Sequence, residues 1–233
     1  MAKPTLDLSL LKALPIFKQL AAADLDLVAR SGEVRRVEES SYFYLQGDPA
    51  TYLYVLTYGR VRFAQVTVDG QQVILKVIGP SQMFGGIAML PEATYPVSAM
   101  ALEDAEALAW SHPALQELAR HAPQLALNSL EHMSGQVQDL QARFRELATE
   151  RVERRLARVV LRLASQVGRK VEGGVLIDLA LSRQDLAEMI GTTLYSVSRI
   201  LSEWERQGYI ETGRERVLVH NPHALMQIAE DLP

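Results

Sequence analysis

Apolar residues in the middle of the chain recur with a spacing that permits few structures. From Leu130 to Leu147 they are separated by three, four, three, four and three residues, which places them in one narrow stripe along a helix. We predict a helix over residues 123–149 that forms a two-stranded coiled coil with a second chain. Packing on the chain's own sheet is the alternative, but polar residues flank the stripe and favour a partner helix. The predicted dimer interface is Leu130, Met133, Val137, Leu140, Phe144 and Leu147.

The chain before this helix has the pattern of short strands. Between Glu33 and Ala109, β-rich segments alternate with turn signals such as Asp69-Gly70, which predicts a hairpin turn. Regularly spaced short strands predict an antiparallel sandwich or barrel. An amphipathic helix is expected before them, over residues 6–29, with its apolar face formed by Leu10, Leu11, Leu14 and Phe17. The predicted strands include residues 34–37, 52–56, 61–68, 73–78 and 105–110.

The chain after the central helix begins with a basic amphipathic helix over residues 150–167, which Gly168 is expected to end. A motif of two short helices follows. Ser182 is an N-cap residue with an acid, Asp185, in the first turn. Ala187 is small where two helices must cross, and Gly191 suits a turn with a left-handed backbone. The buried stripe of the second helix consists of Val197, Ile200, Leu201 and Trp204.

The outer face of that second helix is polar and carries one arginine, Arg199. Such a face fits a DNA major groove, because small hydroxyl side chains allow close approach and arginine can bond guanine with two hydrogen bonds. The pair could also be purely structural, but its small-residue pattern favours DNA binding. Residues 208–212 and 216–220 predict a hairpin wing that contacts phosphates. The predicted DNA contacts are Ser182, Arg183, Gln184, Thr192, Thr193, Leu194, Tyr195, Ser196, Ser198, Arg199, Arg214 and Arg216.

Charge and composition agree with this division. The net charge is −4, but residues 1–150 hold 12 basic and 17 acidic residues whereas residues 151–220 hold 12 basic and 9 acidic ones. A local basic excess is what a DNA-binding part requires, although ordinary surface charge could also produce it. The absence of cysteine excludes disulfides, thiolate zinc sites and cysteine-ligated iron–sulfur clusters. Without a secretory signal or a long apolar run, we expect a cytoplasmic protein with no membrane association.

In this order, the segments resemble the cyclic-AMP receptor protein and fumarate–nitrate regulator (Crp/Fnr) superfamily. The match is strongest over residues 181–187 and 197–201 and looser at 47–48, 58–59 and 84–85. The resemblance implies an α+β fold with an N-terminal β-roll (1–120), a dimerisation helix (121–149) and a C-terminal winged helix-turn-helix (150–233). It also implies a homodimer that reads and bends palindromic double-stranded DNA. As an activator it would contact RNA polymerase.

The effector region departs from that family. Where cyclic-AMP binders have Gly-Glu and Arg-Ser, this chain has Gly85-Gly86 and Tyr95-Pro96, and the adenine-contacting hydroxyl position is Leu140. Without the arginine, a cyclic phosphate loses a bidentate contact, so cyclic AMP is not expected to bind. A similarity to nitric-oxide-responsive regulators leaves haem open as a cofactor, although the five histidines lack ligand spacing. The implied effector pocket is Phe84, Gly85, Gly86, Tyr95, Pro96, Val97, Gln136 and Leu140.

The reading helix also departs from the family. Its usual Arg-Glu pair is replaced by Leu194-Tyr195, whereas the later arginine is kept as Arg199. We expect Arg199 to read guanine as in the family, and we do not expect the base contact that the family's glutamate makes. We therefore predict a DNA-binding regulator that responds to an effector other than cyclic AMP, or a constitutive one whose β-roll is only a scaffold. A cupin-like enzyme is disfavoured, because the strand region lacks a histidine metal set.

Overall fold

The computed structural model describes residues 11–12, 14–70, 72–178, 182–213 and 216–230. Its contacts divide the chain into two compact units, Met1–Phe63 with Gly79–Leu140, and Ala64–Ile78 with Gln141–Pro233. The domain limits implied by the family resemblance stay predictions beside this division. Among the described residues, no helix is both long and apolar enough to cross a membrane.

The N-terminal part is a β-roll of two four-stranded sheets, ordered β1-β8-β3-β6 and β2-β7-β4-β5. Strand β8 is central to the first sheet and pairs antiparallel with both β1 and β3. The predicted turn at Asp69-Gly70 is confirmed, since Gly70 has a φ of +78° and its N–H donates to Thr67 O at 2.9 Å. The strands are β1 Glu33–Val37, β2 Tyr42–Tyr44, β3 Tyr52–Tyr58, β4 Val61–Val66, β5 Gln72–Ile78, β6 Met83–Phe84, β7 Ser98–Ala101 and β8 Ala105–Ser111.

Helices precede and follow the strands of the β-roll in the chain. They are α1 Ala22–Ser31, α2 His112–His121 and the first part of α3 Pro123–Thr149, with 3-10 turns at Pro15–Phe17 and Gly86–Met89. The predicted helix α3 is confirmed with the bounds expected from its periodicity. Asn128 holds its first turns in place, because the buried amide donates to Ile16 O at 2.9 Å and to Lys18 O at 2.8 Å.

The prediction of one continuous helix over residues 6–29 is wrong. Leu14 is extended, Pro15 begins a 3-10 turn, and Gln19 has a left-handed φ of 59°. Proline cannot donate the backbone hydrogen bond that a helix interior needs, so the helical pattern is interrupted there. The apolar face is still used, since Leu11, Leu14 and Phe17 are buried, and Phe17 packs edge-on against a buried tryptophan, with 5.3 Å between ring centroids. Leu10 lies outside the described residues.

The C-terminal part is a winged helix-turn-helix. Its sheet has the order β11-β12-β10-β9, and its core contains the fully buried side chains of Leu156, Val160, Trp204 and Leu225. Strands β9 and β10 were not predicted, because they are short and are joined by the left-handed residues Gly173 and Gly174. The elements are α4 Val152–Val167, β9 Arg169–Val171, β10 Gly174–Asp178, α5 Arg183–Ile190, α6 Leu194–Arg206, β11 Ile210–Gly213, β12 Arg216–Val219 and α7 Pro222–Glu230.

Candidate DNA-reading surface and effector region

The first helix of the motif begins and ends as the sequence predicts. Ser182 Oγ accepts from Asp185 N at 3.1 Å, and the Asp185 carboxylate accepts from Ser182 N at 2.6 Å, which completes a capping box. At the other end Gly191 is left-handed, with φ 63° and ψ 54°. Ala187 is fully buried at the crossing, and its carbonyl accepts from Thr192 N at 3.0 Å. These bonds set the angle between α5 and α6.

Helix α6 presents one buried face and one open face. Its N-cap is Thr193, whose hydroxyl accepts from Ser196 N at 3.3 Å. The opposite face exposes Tyr195 by 77%, and Leu194, at the edge of the buried stripe in the first turn, is exposed by 47%. The predicted inward side chains are confirmed as buried and are Val197, Ile200, Leu201 and Trp204.

Arg199 is exposed on the open face of α6 and forms no hydrogen bond or ion pair with any residue that the structure describes. The acid one turn further on, Glu203, is already engaged by Arg206 and by the Gln207 amide at 2.7 Å. The guanidinium of Arg199 is therefore available to a ligand outside the chain.

The other predicted DNA contacts divide by what their side chains do. The hydroxyls of Ser182, Thr193 and Ser196 take part in helix capping, and Gln184 donates to Glu188 Oε1 at 3.2 Å. Positions on the same motif with partial exposure are Thr192 and Ser198. Arg216 is exposed on the wing strand β12. Arg214 lies outside the described residues.

A polar network that sequence reasoning missed joins the motif to the wing. Arg183 donates to Thr212 Oγ1 at 3.1 Å, while Glu205 accepts from Thr212 N at 2.8 Å and from the Thr212 hydroxyl. The hydrogen bond from Thr212, with the nearby charge of Arg183, lowers the pKa of the Glu205 carboxyl. Arg183 therefore positions the wing. No spacing in the sequence could have paired residues on such different elements.

The arginines of α4 hold the fold together around the end of α3. Arg155 donates to Ile190 O at 3.2 Å and to Glu150 O at 2.7 Å. Arg158 grips the Glu150 carboxylate with two bonds of 3.1 and 3.2 Å. The C-terminal carbonyl of α5 thus gains a cationic partner, which favours the helix dipole. Arg155 and Arg158 therefore have structural roles within the fold.

The predicted dimer stripe is open to solvent within the single chain. Its six residues, from Leu130 to Leu147, expose between 50% and 71% of their surface, and Leu127 at 57% continues the stripe. This exposure disfavours packing against the chain's own sheet. A row of exposed, large apolar side chains marks an interaction site. The dimer interface stays a prediction, and the exposure of the stripe is the physical reason for it.

The effector region holds a tight cluster of aromatic rings. Tyr44 stacks on Tyr95 with 3.6 Å between ring centroids, and Tyr54 stacks on Phe84 at 4.9 Å. All four are buried, with Tyr95 only 2% exposed. Burial raises the pKa of the Tyr44 and Tyr54 hydroxyls well above the usual value. The four rings pack against one another and are closed to solvent.

Tyr95 is also bonded to the backbone of β3. Its hydroxyl donates to Tyr52 O at 2.7 Å and accepts from Tyr52 N at 2.9 Å. Gly85 makes the close approach possible, because it is left-handed and a Cβ there would lie 2.7 Å from Tyr52 O and 3.4 Å from the Tyr95 ring. The structure therefore brings Phe84, Gly85 and Tyr95 together, as predicted.

The other five predicted pocket residues do not belong to this aromatic cluster. Gly86 begins a 3-10 turn, Pro96 is exposed and Val97 is half-buried. Gln136 and Leu140 are exposed on α3, and the Gln136 amide lies 2.8 Å from His132 Nε2. Their part in an effector pocket stays a prediction.

The histidine beside this region does not fit a haem ligand. His112 Nδ1 lies 2.6 Å from Ala88 O, and its Nε2 lies 2.8 Å from the Gln116 amide. Both ring nitrogens are engaged by protein atoms, whereas an axial ligand needs one free nitrogen. Among the residues that the structure describes, no three His, Asp or Glu side chains group to hold a metal ion.

A β-roll, a long helix with an exposed apolar stripe, and a winged helix-turn-helix whose Arg199 has no partner among the described residues are the features of a DNA-binding transcription regulator. Comparison with known families agrees: residues 154–228 match the Crp-like helix-turn-helix domain, and residues 34–122 match the cyclic nucleotide-binding domain. The chain belongs to the Crp/Fnr superfamily of transcription regulators. Regulators of this family bind DNA and act as dimers.

Individual relatives extend over nearly the whole chain. The cyclic AMP receptor protein of Thermus thermophilus is 28% identical over 219 residues, covering 94% of this chain and 98% of the relative. A global nitrogen regulator from Synechocystis is 27% identical over 196 residues, covering 83% and 87%. The structure of FixK2 from Bradyrhizobium japonicum has the same fold, with a TM-score of 0.73 at 23% identity, covering 84% of this chain and 96% of that one.

Proposed function

We propose that this chain acts as a homodimer that reads a palindromic operator, with α6 of each protomer in successive major grooves. The observation that carries the proposal is Arg199, an exposed guanidinium on the open face of α6 without a partner among the described residues. Arginine bonds guanine O6 and N7 with two hydrogen bonds. The two half-sites lie about one helical turn apart.

The exposed stripe on α3 supports the dimer. Two copies that pair through Leu130 to Leu147 bury side chains that are otherwise half or more exposed to water. A two-fold symmetric dimer then carries two reading helices, and a palindrome is the DNA sequence with matching symmetry. Where the bound regulator activates transcription, it acts through contact with RNA polymerase.

Site selection from random DNA tests the reading residue. The Arg199→Ala variant is expected to lose about 1–3 kcal/mol per half-site and to relax base preference at one symmetric position. Arg216→Ala, on the wing, is the matched control: it should weaken binding to all sequences alike and reduce the salt slope by about one. Recovery of the same palindrome, with the same information at every position, by wild type and Arg199→Ala would contradict the assignment.

A second candidate, a regulator whose β-roll works without a small effector, is favoured by the aromatic cluster. The family resemblance puts the phosphate-binding arginine of cyclic-AMP binders where this chain has Tyr95. Tyr95 instead stacks on Tyr44 and bonds the backbone of Tyr52. The Tyr95 side chain is thus neutral and buried, its hydroxyl already has hydrogen-bond partners, and it offers no cation to a phosphate.

Fluorescence anisotropy on a selected operator tests this second candidate. Cyclic AMP at millimolar concentration is expected to leave the DNA affinity unchanged, and native mass spectrometry of the purified protein is expected to show the mass of the bare dimer. A tenfold tightening by the nucleotide would contradict the first expectation. A copurifying small molecule would restore the ligand-modulated alternative.

A further inference from the structure

The tip of α6 carries two large side chains that the fold does not use. Leu194 and Tyr195 are its first two residues and are 47% and 77% exposed. The other large apolar residues of the helix are at most 7% exposed and are Val197, Ile200, Leu201 and Trp204. Tyr195 forms no hydrogen bond with a described residue. The start of the helix is therefore apolar at Leu194 and aromatic at Tyr195, and the open face is cationic one turn later.

Position on the helix places this tip beside the proposed guanine contact. Tyr195 and Arg199 are four residues apart, so their Cβ atoms are about 5–6 Å apart on one face. Successive bases of one strand rise by about 3.4 Å. A ring at Tyr195 therefore lies over a base pair one or two steps from the guanine, and Leu194, at the same end of the helix, lies beside it.

The chemistry of the tip selects one base. Leucine can neither donate nor accept a hydrogen bond, and the edge of a tyrosine ring is apolar. Thymine alone presents a methyl group in the major groove, where apolar side chains contact it. We infer that Leu194 and Tyr195 read thymine through its C5 methyl group, one or two base pairs from the guanine bound by Arg199. This inference rests on the proposed function and adds the second base of the half-site.

Removal of the methyl group alone tests the inference. Deoxyuridine replaces thymidine at each position of the selected operator in turn, which keeps pairing and hydrogen bonding and deletes only the methyl. When the predicted thymine of one half-site is replaced, the wild-type dimer should bind about fourfold more weakly, because burial of one apolar carbon contributes about that factor to the affinity. Substitution in both half-sites should weaken binding about 15-fold.

Protein variants show which side chains make the contact. Leu194→Ala and Tyr195→Ala should each reduce the uracil penalty, whereas Tyr195→Phe should keep it, because the ring and not the hydroxyl makes the contact. Met226→Ala is the matched control, since Met226 is 46% exposed on α7, a helix outside the helix-turn-helix motif. It should leave both affinity and penalty unchanged.

Three results would overturn the inference. Equal binding to thymine and uracil operators, by a wild-type protein that still needs Arg199 for guanine, refutes methyl reading and leaves the proposed function intact. A uracil penalty that persists in full in both alanine variants assigns the methyl contact to other residues. Failure to select any palindrome refutes the proposed function, and this inference with it.

Discussion

Replacing Tyr95 by phenylalanine removes a single buried oxygen from the β-roll. The hydroxyl bonds both the N–H and the carbonyl of Tyr52, at 2.9 and 2.7 Å. Tyr52 pairs with Ser111 of β8 on one side, but on the other side of β3 the described residues of the short strand β6 pair only with Tyr54 and Val55 and do not reach Tyr52. An unsatisfied buried polar group costs about 1–3 kcal/mol. Because the Tyr95 ring is 2% exposed, removing its hydroxyl leaves these two groups without their partner, which predicts a loss of about 2–6 kcal/mol in the free energy of unfolding for Tyr95→Phe.

Urea unfolding followed by tryptophan fluorescence measures this loss. Trp110 is fully buried in the β-roll and reports on it when Trp204, in the other unit, is replaced by phenylalanine. Tyr58→Phe is the matched control, since Tyr58 is 65% exposed at the end of β3, and it should cost less than about 0.5 kcal/mol. Equal unfolding midpoints for the Tyr95→Phe and Tyr58→Phe proteins would refute the argument that the Tyr95 hydroxyl holds β3.

Three further predictions concern the dimer and the pH dependence of stability. Leu140→Glu should dissociate the dimer in sedimentation experiments, because it buries an unpaired carboxylate in the stripe. Gln138→Glu, beside the stripe, should leave the dimer intact. A Leu140→Glu protein that still sediments as a dimer would exclude this interface. Burial raises the pKa of Tyr44 and Tyr54 above the usual 10.0. The unfolded chain therefore loses these protons first, and the free energy of unfolding should fall as pH rises through about 10. A urea midpoint that stays constant from pH 8 to 11 would contradict this. Hydrogen bonding lowers the pKa of Glu205 below its ordinary 4.5. The ionised carboxylate therefore stabilises the fold above that pH, and this contribution is lost as pH falls through the folded-state pKa. Glu205→Gln should make the free energy of unfolding less dependent on pH in acid, and an unaltered pH dependence would exclude the contribution.

Features that depend on a few neighbouring residues were predictable. The periodicity of α3 predicted its limits, Pro123 and Thr149, because an apolar stripe and the proline at its start are local signals. The capping box at Ser182 and the left-handed turn at Gly191 were predictable for the same reason. The family resemblance rests on this local motif as well.

Features that depend on pairing across the fold were not predictable. Strands β2 and β6 have three and two residues, too few for an alternating pattern to be recognised, and they exist because a neighbouring strand offers hydrogen bonds. The helix expected over residues 6–29 followed a real apolar pattern, but Pro15 and the left-handed Gln19 interrupt it. Apolar periodicity alone does not show where a backbone turns.

The sequence by itself determined that two helices cross at Ala187 and that Arg199 faces away from their shared core, because helical periodicity assigns each side chain to a face. Only the tertiary structure decided what Tyr95 does. The residue is 43 positions from the Tyr52 backbone that it bonds, and its partners come together only when the strands have paired. A tyrosine in place of an arginine could line a pocket or fill one, and packing against Tyr44 favours the second. Local chemistry thus identifies the DNA-reading helix, whereas long-range packing governs the β-roll.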